Sequence, residues 1–193
     1  MTREDEVLAF WLDEKGPPAW YAGGDDLDAE IRDRFLETWE RAADGGLSLW
    51  LTHATGTLAY IIVTDQFSRN MHRDSGLSFS TDGAARAAAK MAIKREWDMR
   101  IDEPARQFFY MPLMHSECLS DQDRAVRLVK TRMPATGEGT IDHARAHREI
   151  IRMFGRFPFR NEALGRDTRE GEAAFMAEGG YRGIMNKLQK KAA

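Results

Sequence analysis

The chain has 193 residues, 42% hydrophobic and 31% charged, which is typical of a globular protein and not of a disordered one. Its formal charge of -3 comes from 28 basic and 31 acidic side chains, so no overall positive field recruits nucleic acid or an anionic membrane. The single cysteine, Cys118, excludes an intramolecular disulfide and a thiolate metal cluster, and it indicates a reducing compartment.

The first residues lack the pattern of a secretion signal. Glu4, Asp5 and Glu6 stand where such a signal needs basic residues and an apolar run. The longest strongly apolar stretch, residues 58–63, is far shorter than the roughly 20 residues that span a bilayer. We therefore predict one cytoplasmic domain over residues 1–193, with no cofactor and no membrane or nucleic-acid partner.

Apolar residues at three- and four-residue spacing predict helices. The first begins near Asp25 or Asp26 and ends at Gly45-Gly46, with acidic residues that include Asp28 on the side opposite Ile31 and Phe35. The second covers residue 57 to about residue 71. It is apolar nearly all round in its first half, which predicts a central position.

The rest of the chain also predicts helices, and no run alternates apolar and polar residues as a strand would. Pro112 interrupts the pattern, so His115 and Glu117 are expected on a new or kinked segment. The predicted helices are residues 83–95 after a cap at 80–82, one beginning at Asp102 and Pro104, residues 122–133, residues 140–154 after a loop at 134–139, residues 168–179, and a basic, possible frayed tail over 182–193. The fold class is therefore all-α, as antiparallel helix pairs in either a superhelix or a compact bundle.

Two motifs are more particular than a helical core requires. The first is Asp65-Gln66-Phe67-Ser68-Arg69-Asn70, followed by Arg73. Arginine and amide side chains beside an aromatic ring suit a half-buried hydrogen-bonding site. On an exposed face an Asp to Arg pair four residues apart contributes only about 0.2–0.5 kcal/mol, whereas a buried pair implies a dedicated network.

The second motif is Gly155-Arg156-Phe157-Pro158-Phe159-Arg160-Asn161, followed by Arg166. Gly155 is a natural helix C-cap and Pro158 forbids helical continuation, but neither feature explains three arginines. Guanidinium groups commonly bind carboxylates or phosphates with two hydrogen bonds. Structural pairing with Asp65, Glu117 or Asp167 is nevertheless the use that we expect for these arginines.

Histidines supply further candidates. His115 is either a general base or a core imidazole that donates to Asp65 or Glu117, and Arg106 precedes it on the same stretch. His143 and His147 stand four apart but lack the glutamate of the metalloprotease helix, so no metal site is predicted. Five aromatic residues are expected in the core and not on a stacking platform: Trp11, Trp20, Tyr21, Trp39 and Trp50.

Together these residues resemble the bacterial family known as domain of unknown function 924. The resemblance covers nearly the whole chain and includes the 65–70 and 154–161 segments, Phe109-Tyr110-Met111-Pro112 and Leu164-Gly165-Arg166. Phe159 stands where the family usually has histidine, so a role of that histidine is not expected here. The resemblance implies a helical fold grouped with tetratricopeptide-like superhelices and no established activity.

Three functions remain open from the sequence. The first is a binding module in which the two motifs and the His115 segment form a polar pocket for a small anionic ligand or a peptide carboxylate. The second is a hydrolase with His115 or His147 as base and Asp65 or Glu117 as orienting carboxylate. The third is a protein-interaction scaffold with a structural polar core. The candidate binding residues are Asp65, Gln66, Arg69, Asn70, Arg73, Arg106, His115, Glu117, His147, Arg156, Arg160, Asn161 and Arg166.

Overall fold

All regular secondary structure in residues 2–192, the part of the chain that the computed structural model describes, is helical. The first half contains six α-helices: α1 (Arg3–Leu8), α2 (Gly16–Trp20), α3 (Asp25–Ala43), α4 (Ala54–Ile61), α5 (Ser68–Met71) and α6 (Asp82–Lys94). Two π-helical segments, Ala9–Lys15 and Ile62–Phe67, join α1 to α2 and α4 to α5. The 3₁₀ helices of this half are Ser48–Thr52, Gly76–Phe79, Asp98–Arg100 and Ala105–Phe109.

The second half continues with longer helices. They are α7 (Met111–Met114), α8 (Leu119–Arg132), α9 (Gly137–Phe154), α10 (Glu170–Ala177) and α11 (Gly180–Ala192). A 3₁₀ helix, Pro158–Arg160, lies between α9 and α10. The prediction of an all-α fold is confirmed.

The chain divides into two compact units, here called the N-terminal unit (Met1–Pro112) and the C-terminal unit (Leu113–Ala193). In the N-terminal unit α3 packs on the Ile62–Phe67 segment and α5, while α4 packs on α1 and α6. In the C-terminal unit α9 packs on both α8 and α11. One domain over residues 1–193 stays a prediction.

The core of the N-terminal unit is aromatic. Phe67, at the end of the second π-helical segment, lies 5.0 Å from Phe35 and 5.3 Å from Trp11 between ring centroids. Phe10 joins the same group, and all four side chains are fully buried. The apolar helix α4 is buried from Gly56 to Ile61, as its composition predicts. This core fixes the backbone from which Asp65, Gln66 and Arg69 project.

The core of the C-terminal unit lies between α9 and the segments that follow it. Ile150, Ile151 and Phe157 are buried, and Phe175 of α10 and Ile184 of α11 pack against them. Phe157 precedes Pro158, so the second motif is attached to this core through its first aromatic residue. The last helix is anchored by the same cluster.

Most helix predictions agree with the structure, and the differences occur at helix ends. Asp102 and Pro104 lead into the 3₁₀ helix Ala105–Phe109 and not into an α-helix, and the Glu103–Pro104 peptide bond is cis. α8 begins at Leu119, three residues before the predicted start at residue 122, and Cys118 is its N-cap. The prediction of five core aromatics is wrong for Tyr21, which is 55% exposed, and Trp50 is only partly buried.

Candidate functional site

The first motif forms an ion-pair network around a fully buried carboxylate. Arg69 Nη1 donates to the main-chain oxygen of Asp65 at 2.7 Å and to its Oδ1 at 3.2 Å. Arg69 Nη2 lies 2.9 Å from Oδ1 of Asp82, at the start of α6. Gln66 Nε2 donates to the other oxygen of Asp65. Burial of Asp65 therefore comes with the dedicated network that a buried charge requires.

A second carboxylate, Asp28 of α3, binds the end of the same motif. Arg73 donates to it from Nε at 2.7 Å and from Nη2 at 2.9 Å, and Asn70 Nδ2 donates to Oδ1 at 2.8 Å. Asp28 is 7% exposed, whereas the Arg73 side chain is 50% exposed. The guanidinium of Arg73 is thus fixed on one edge by the protein and open to solvent elsewhere.

The arginine and amide side chains of the first motif border a pocket of about 170 Å³ in the N-terminal unit. Its lining residues are Trp20, Tyr21, Gly23, Gln66, Arg69, Asn70 and Arg73. Gly23 has a φ of +61°, and a Cβ added there would lie 3.6 Å from Arg73 Nη2. Glycine is therefore required by the backbone, and it keeps a side chain away from the outer edge of the guanidinium.

Four of the predicted residues, Gln66, Arg69, Asn70 and Arg73, thus lie on one pocket wall. Asp65 is buried behind them and orients two of them. Arg106 is not among the lining residues. Its Nε donates to the main-chain oxygen of Ile101 at 2.9 Å, and its Nη1 lies 3.7 Å from Glu103.

In the C-terminal unit, Glu117 is bound by Arg166 and by the second motif. Arg166 donates from both Nη atoms to the two carboxylate oxygens at 2.8 and 3.0 Å, and the Phe157 N–H donates at 2.8 Å. Burial opposes ionisation of Glu117, but these hydrogen bonds outweigh it, so the pKa of the carboxyl lies below its usual value. The expected pairing of Arg166 with Glu117 is confirmed.

A second carboxylate, Glu172 of α10, binds the rest of the motif. Arg156 donates to it from Nε at 2.6 Å and from Nη2 at 2.7 Å, and Asn161 Nδ2 and the Arg169 N–H each donate at 3.0 Å. The hydrogen bonds from Arg156 outweigh the effect of burial and, with those from Arg169 and Asn161, lower the pKa of Glu172 to about 2. These contacts tie the 155–161 segment to α10.

The histidines lie close together in the same unit. The rings of His115 and His147 are 5.9 Å apart between centroids, and His147 Nδ1 lies 2.8 Å from the main-chain oxygen of His143, which makes Nδ1 the donor. Burial, followed by the proximity of His115, lowers the pKa of His147 to about 3. His147 is therefore neutral at physiological pH and a weak base. In the same unit, the guanidinium of Arg160 lies 4.5 Å from the centre of the Phe157 ring.

Asp28, Asp82 and Glu172 are the carboxylates that sequence reasoning missed. The predicted position of Asp28 on the exposed side of its helix is wrong, since it stands three residues before Ile31 and seven before Phe35 and so lies on their buried face. That spacing was a usable signal. Glu172 has the weaker signal of standing three residues before Phe175, and Asp82 was considered only as a helix cap.

Two further structural findings bear on function. Among residues 2–192, no three His, Cys, Asp or Glu side chains are arranged so that they could hold a metal ion. Within the same range, none of the helices combines the length and the apolar character needed to cross a membrane.

Fold and side-chain arrangement together define an all-α protein with a polar pocket in one unit and an arginine–carboxylate network in the other. Residues 7–180 match the family described as bacterial protein of unknown function (DUF924), and the chain belongs to that family. A solved structure of a protein of unknown function from Agrobacterium tumefaciens is similar to it, with 35% sequence identity and a TM-score of 0.84. That similarity covers 91% of this chain and 97% of the other. No curated protein matches the chain.

Proposed function

We propose that this protein is a binding module whose N-terminal unit holds the C-terminus of a peptide or a similar small carboxylate. The observation that carries the proposal is the position of Arg73. Asp28 occupies its Nε and one hydrogen of Nη2, while three further N–H groups have no hydrogen-bond partner among the described residues. Arg73 also lines the pocket, and a planar pair of N–H donors is well suited to a carboxylate.

The charges around the pocket favour a ligand that also carries an N–H group. Two arginines, Arg69 and Arg73, are surrounded by three carboxylates, Asp28, Asp65 and Asp82. A bare anion therefore meets guanidinium groups that are already neutralised. A peptide terminus adds an amide N–H, which can donate a hydrogen bond to an acceptor on the pocket wall.

Acceptors for such a donor are present on the pocket wall. The amide groups of Gln66 and Asn70 each donate to an aspartate, so their carbonyl oxygens face away from those contacts. Neither oxygen accepts a hydrogen bond from another described residue. Trp20 and the exposed ring of Tyr21 supply apolar surface for the body of the ligand. Donor, acceptor and aromatic groups are the usual composition of a small-ligand pocket.

The contacts of the second motif support a structural role for that motif and not a role in ligand binding. Arg156 and Arg166 are each held by a carboxylate at two atoms, as Arg73 is, but their side chains are only 16% and 25% exposed against 50% for Arg73, so less of each guanidinium is open to a ligand. Glu117 accepts from Arg166 and the Phe157 N–H, which leaves the hydrolase alternative without its orienting carboxylate there. Convergence of the two motifs on one pocket, the tetratricopeptide-like arrangement and the cytoplasmic location stay predictions.

Thermal unfolding with three ligands tests the binding function. An N-acetylated dipeptide with a free carboxylate at about 100 times its dissociation constant should add roughly 2.7 kcal/mol, or about 5–10 °C in melting temperature. The same dipeptide with a C-terminal amide and inorganic phosphate should give much smaller shifts.

Two variants complete this test. Arg73→Gln should abolish the shift, whereas Arg41→Gln, which removes an exposed arginine of α3 that is not among the pocket residues, should keep it. Equal shifts for the acid and its amide, or an unchanged shift in Arg73→Gln, would contradict the proposed function.

A further inference from the structure

A second pocket, larger than the first, lies in the C-terminal unit and contains none of the predicted site residues. Its volume is about 460 Å³, within the roughly 300–1,000 Å³ typical of small-molecule sites. Side chains of α9, α10 and α11 line it. Its apolar wall consists of Met153, Phe175, Ile184 and Leu188.

The lining residues follow helical spacing on α9 and α11. On α9 they stand at positions 145, 148, 149 and 153, and on α11 at 184, 187 and 188. Each helix therefore presents one face to the groove. Met153 is 47% exposed, so this apolar surface is open to a ligand from solvent.

Two cations in the groove have unused hydrogen-bonding groups. Arg148 has one ion pair among the described residues, a long contact of 3.5 Å from Nη1 to the exposed carboxylate of Asp123. Its Nε is buried and has no partner within the same part of the chain. Lys187 has no ion pair with a described residue. An acceptor supplied by a ligand would satisfy this buried donor.

The charge of the surroundings favours an anion. The C-terminal unit has fifteen basic and eleven acidic residues, a formal charge of +4, although the whole chain carries -3. Glu149 and Glu178 also line the groove, but Glu149 lies 3.6 Å from Arg152 and is partly neutralised by it. The groove therefore combines cationic side chains with an apolar wall, which makes it an amphipathic site.

We infer that this groove binds a medium-chain fatty acid, with its carboxylate on Arg148 and Lys187 and its alkyl chain on the apolar wall. The lining favours this ligand over an amphipathic peptide helix. A docked helix would need only apolar anchors, whereas the groove also presents Nε of Arg148, which has no partner among the described residues and which a carboxylate would satisfy.

Calorimetric titration of the full chain with decanoate tests the inference. Decanoate should bind with one site per chain below its micelle concentration, and each CH₂ group added from hexanoate to decanoate should raise affinity about fourfold. Decanol, which lacks the charge, should bind at least about tenfold more weakly, because a charge-assisted hydrogen bond is lost.

Matched variants locate the site. Arg148→Gln should weaken decanoate binding about tenfold or more while leaving the fold intact, since Arg148 has only one weak ion pair. Arg127→Gln removes an exposed arginine of α8 that does not line the groove, and it should change affinity less than about twofold. Arg73→Gln should also leave it unchanged, which separates this groove from the pocket of the N-terminal unit.

The inference would be overturned by no saturable binding of free decanoate, by equal effects of Arg148→Gln and Arg127→Gln, or by binding to vesicles of anionic phospholipid without binding to free decanoate. Loss of decanoate binding in Arg73→Gln alone would likewise assign the ligand to the other pocket and remove it from this groove.

Discussion

Arg73 and Asp28, 45 residues apart in sequence, are joined by two hydrogen bonds that lock one edge of a half-exposed guanidinium against a buried carboxylate. The same carboxylate binds Asn70, so α3 and the end of the first motif are held in one arrangement. A polar pocket keeps its shape only when its side chains are fixed in this way. The ion pair therefore connects the fold of the N-terminal unit to its proposed binding function.

Removal of this carboxylate should destabilise the protein. Asp28→Asn deletes one charge and part of the acceptor set of Arg73 and Asn70, and we expect a loss of about 1–3 kcal/mol in the free energy of unfolding. Urea unfolding measures it. Asp26→Asn is the matched control, since Asp26 is exposed on the same helix. A loss no larger than that of the control would show that the pair is only a surface contact.

The Glu172 network should make stability depend on pH. The pKa of Glu172 is lowered from 4.5 to about 2, so between these values the unfolded chain binds more protons than the folded one. Its contribution is present above about pH 4.5 and is lost as pH falls towards 2. The free energies of unfolding of wild type and Glu172→Gln, measured in urea, should therefore differ most near neutral pH and converge below pH 4.5.

A control for this pH dependence is available two residues away. Glu170 is exposed in the first turn of the same helix, and Glu170→Gln should leave the acid limb of the stability curve unchanged. If wild type and Glu172→Gln differed in free energy of unfolding by the same amount at pH 7 and pH 3, the hydrogen bonds from Arg156 would not be the cause of the pH dependence.

His147 should give a second pH effect in a higher range. Its pKa is lowered from 6.5 to about 3, so between these values the unfolded chain takes up a proton that the folded chain does not. Stability should fall as pH decreases through this range, by at most about 1.4 kcal/mol per pH unit for a single proton.

NMR of the imidazole groups tests this directly. The His147 ring should stay neutral at pH 5 in the folded protein and become protonated there in urea. The variant His147→Gln should remove this part of the slope. A folded-state titration of His147 near pH 6.5 would contradict the effect of burial and of His115.

Two glycines of one helix should respond in opposite directions to alanine. Gly155, the C-cap of α9, has a φ of +68° and open space around an added Cβ, so Gly155→Ala costs only conformational strain, about 1–2 kcal/mol. Gly139 lies within the same helix with open space as well, and Gly139→Ala should stabilise by about 0.5–1 kcal/mol. Thermal unfolding of both variants checks the signs. Equal effects would show that neither backbone conformation is as described.

The sequence predicts more of the fold than of the site. Helix positions follow from hydrophobic periodicity, because α3, α6, α8 and α9 each bury one face. The short 3₁₀ turn after Pro104 was predicted as a helix start, since proline at a first turn does not reveal how far the helix continues. Gly155 was predicted correctly as a C-cap from its position alone.

The candidate site was predicted by residue type, but its partners were not. Arg69, Arg156 and Arg166 stood out because arginines in an apolar stretch need acceptors. The choice of Asp28 and Glu172 as acceptors depends on tertiary packing, which brings residues together that are 45 and 16 positions apart. Tyr21 escaped prediction for the same reason, because an exposed ring beside a pocket has the sequence pattern of a core residue.

The most direct measurement is the affinity of the wild-type protein for an N-acetylated dipeptide and for its C-terminal amide, by isothermal titration calorimetry. If Arg73 holds a carboxylate, the acid should bind with one site per chain and at least about tenfold more tightly than the amide. Indistinguishable affinities, or no saturable binding of either peptide, would contradict a carboxylate site in the N-terminal unit.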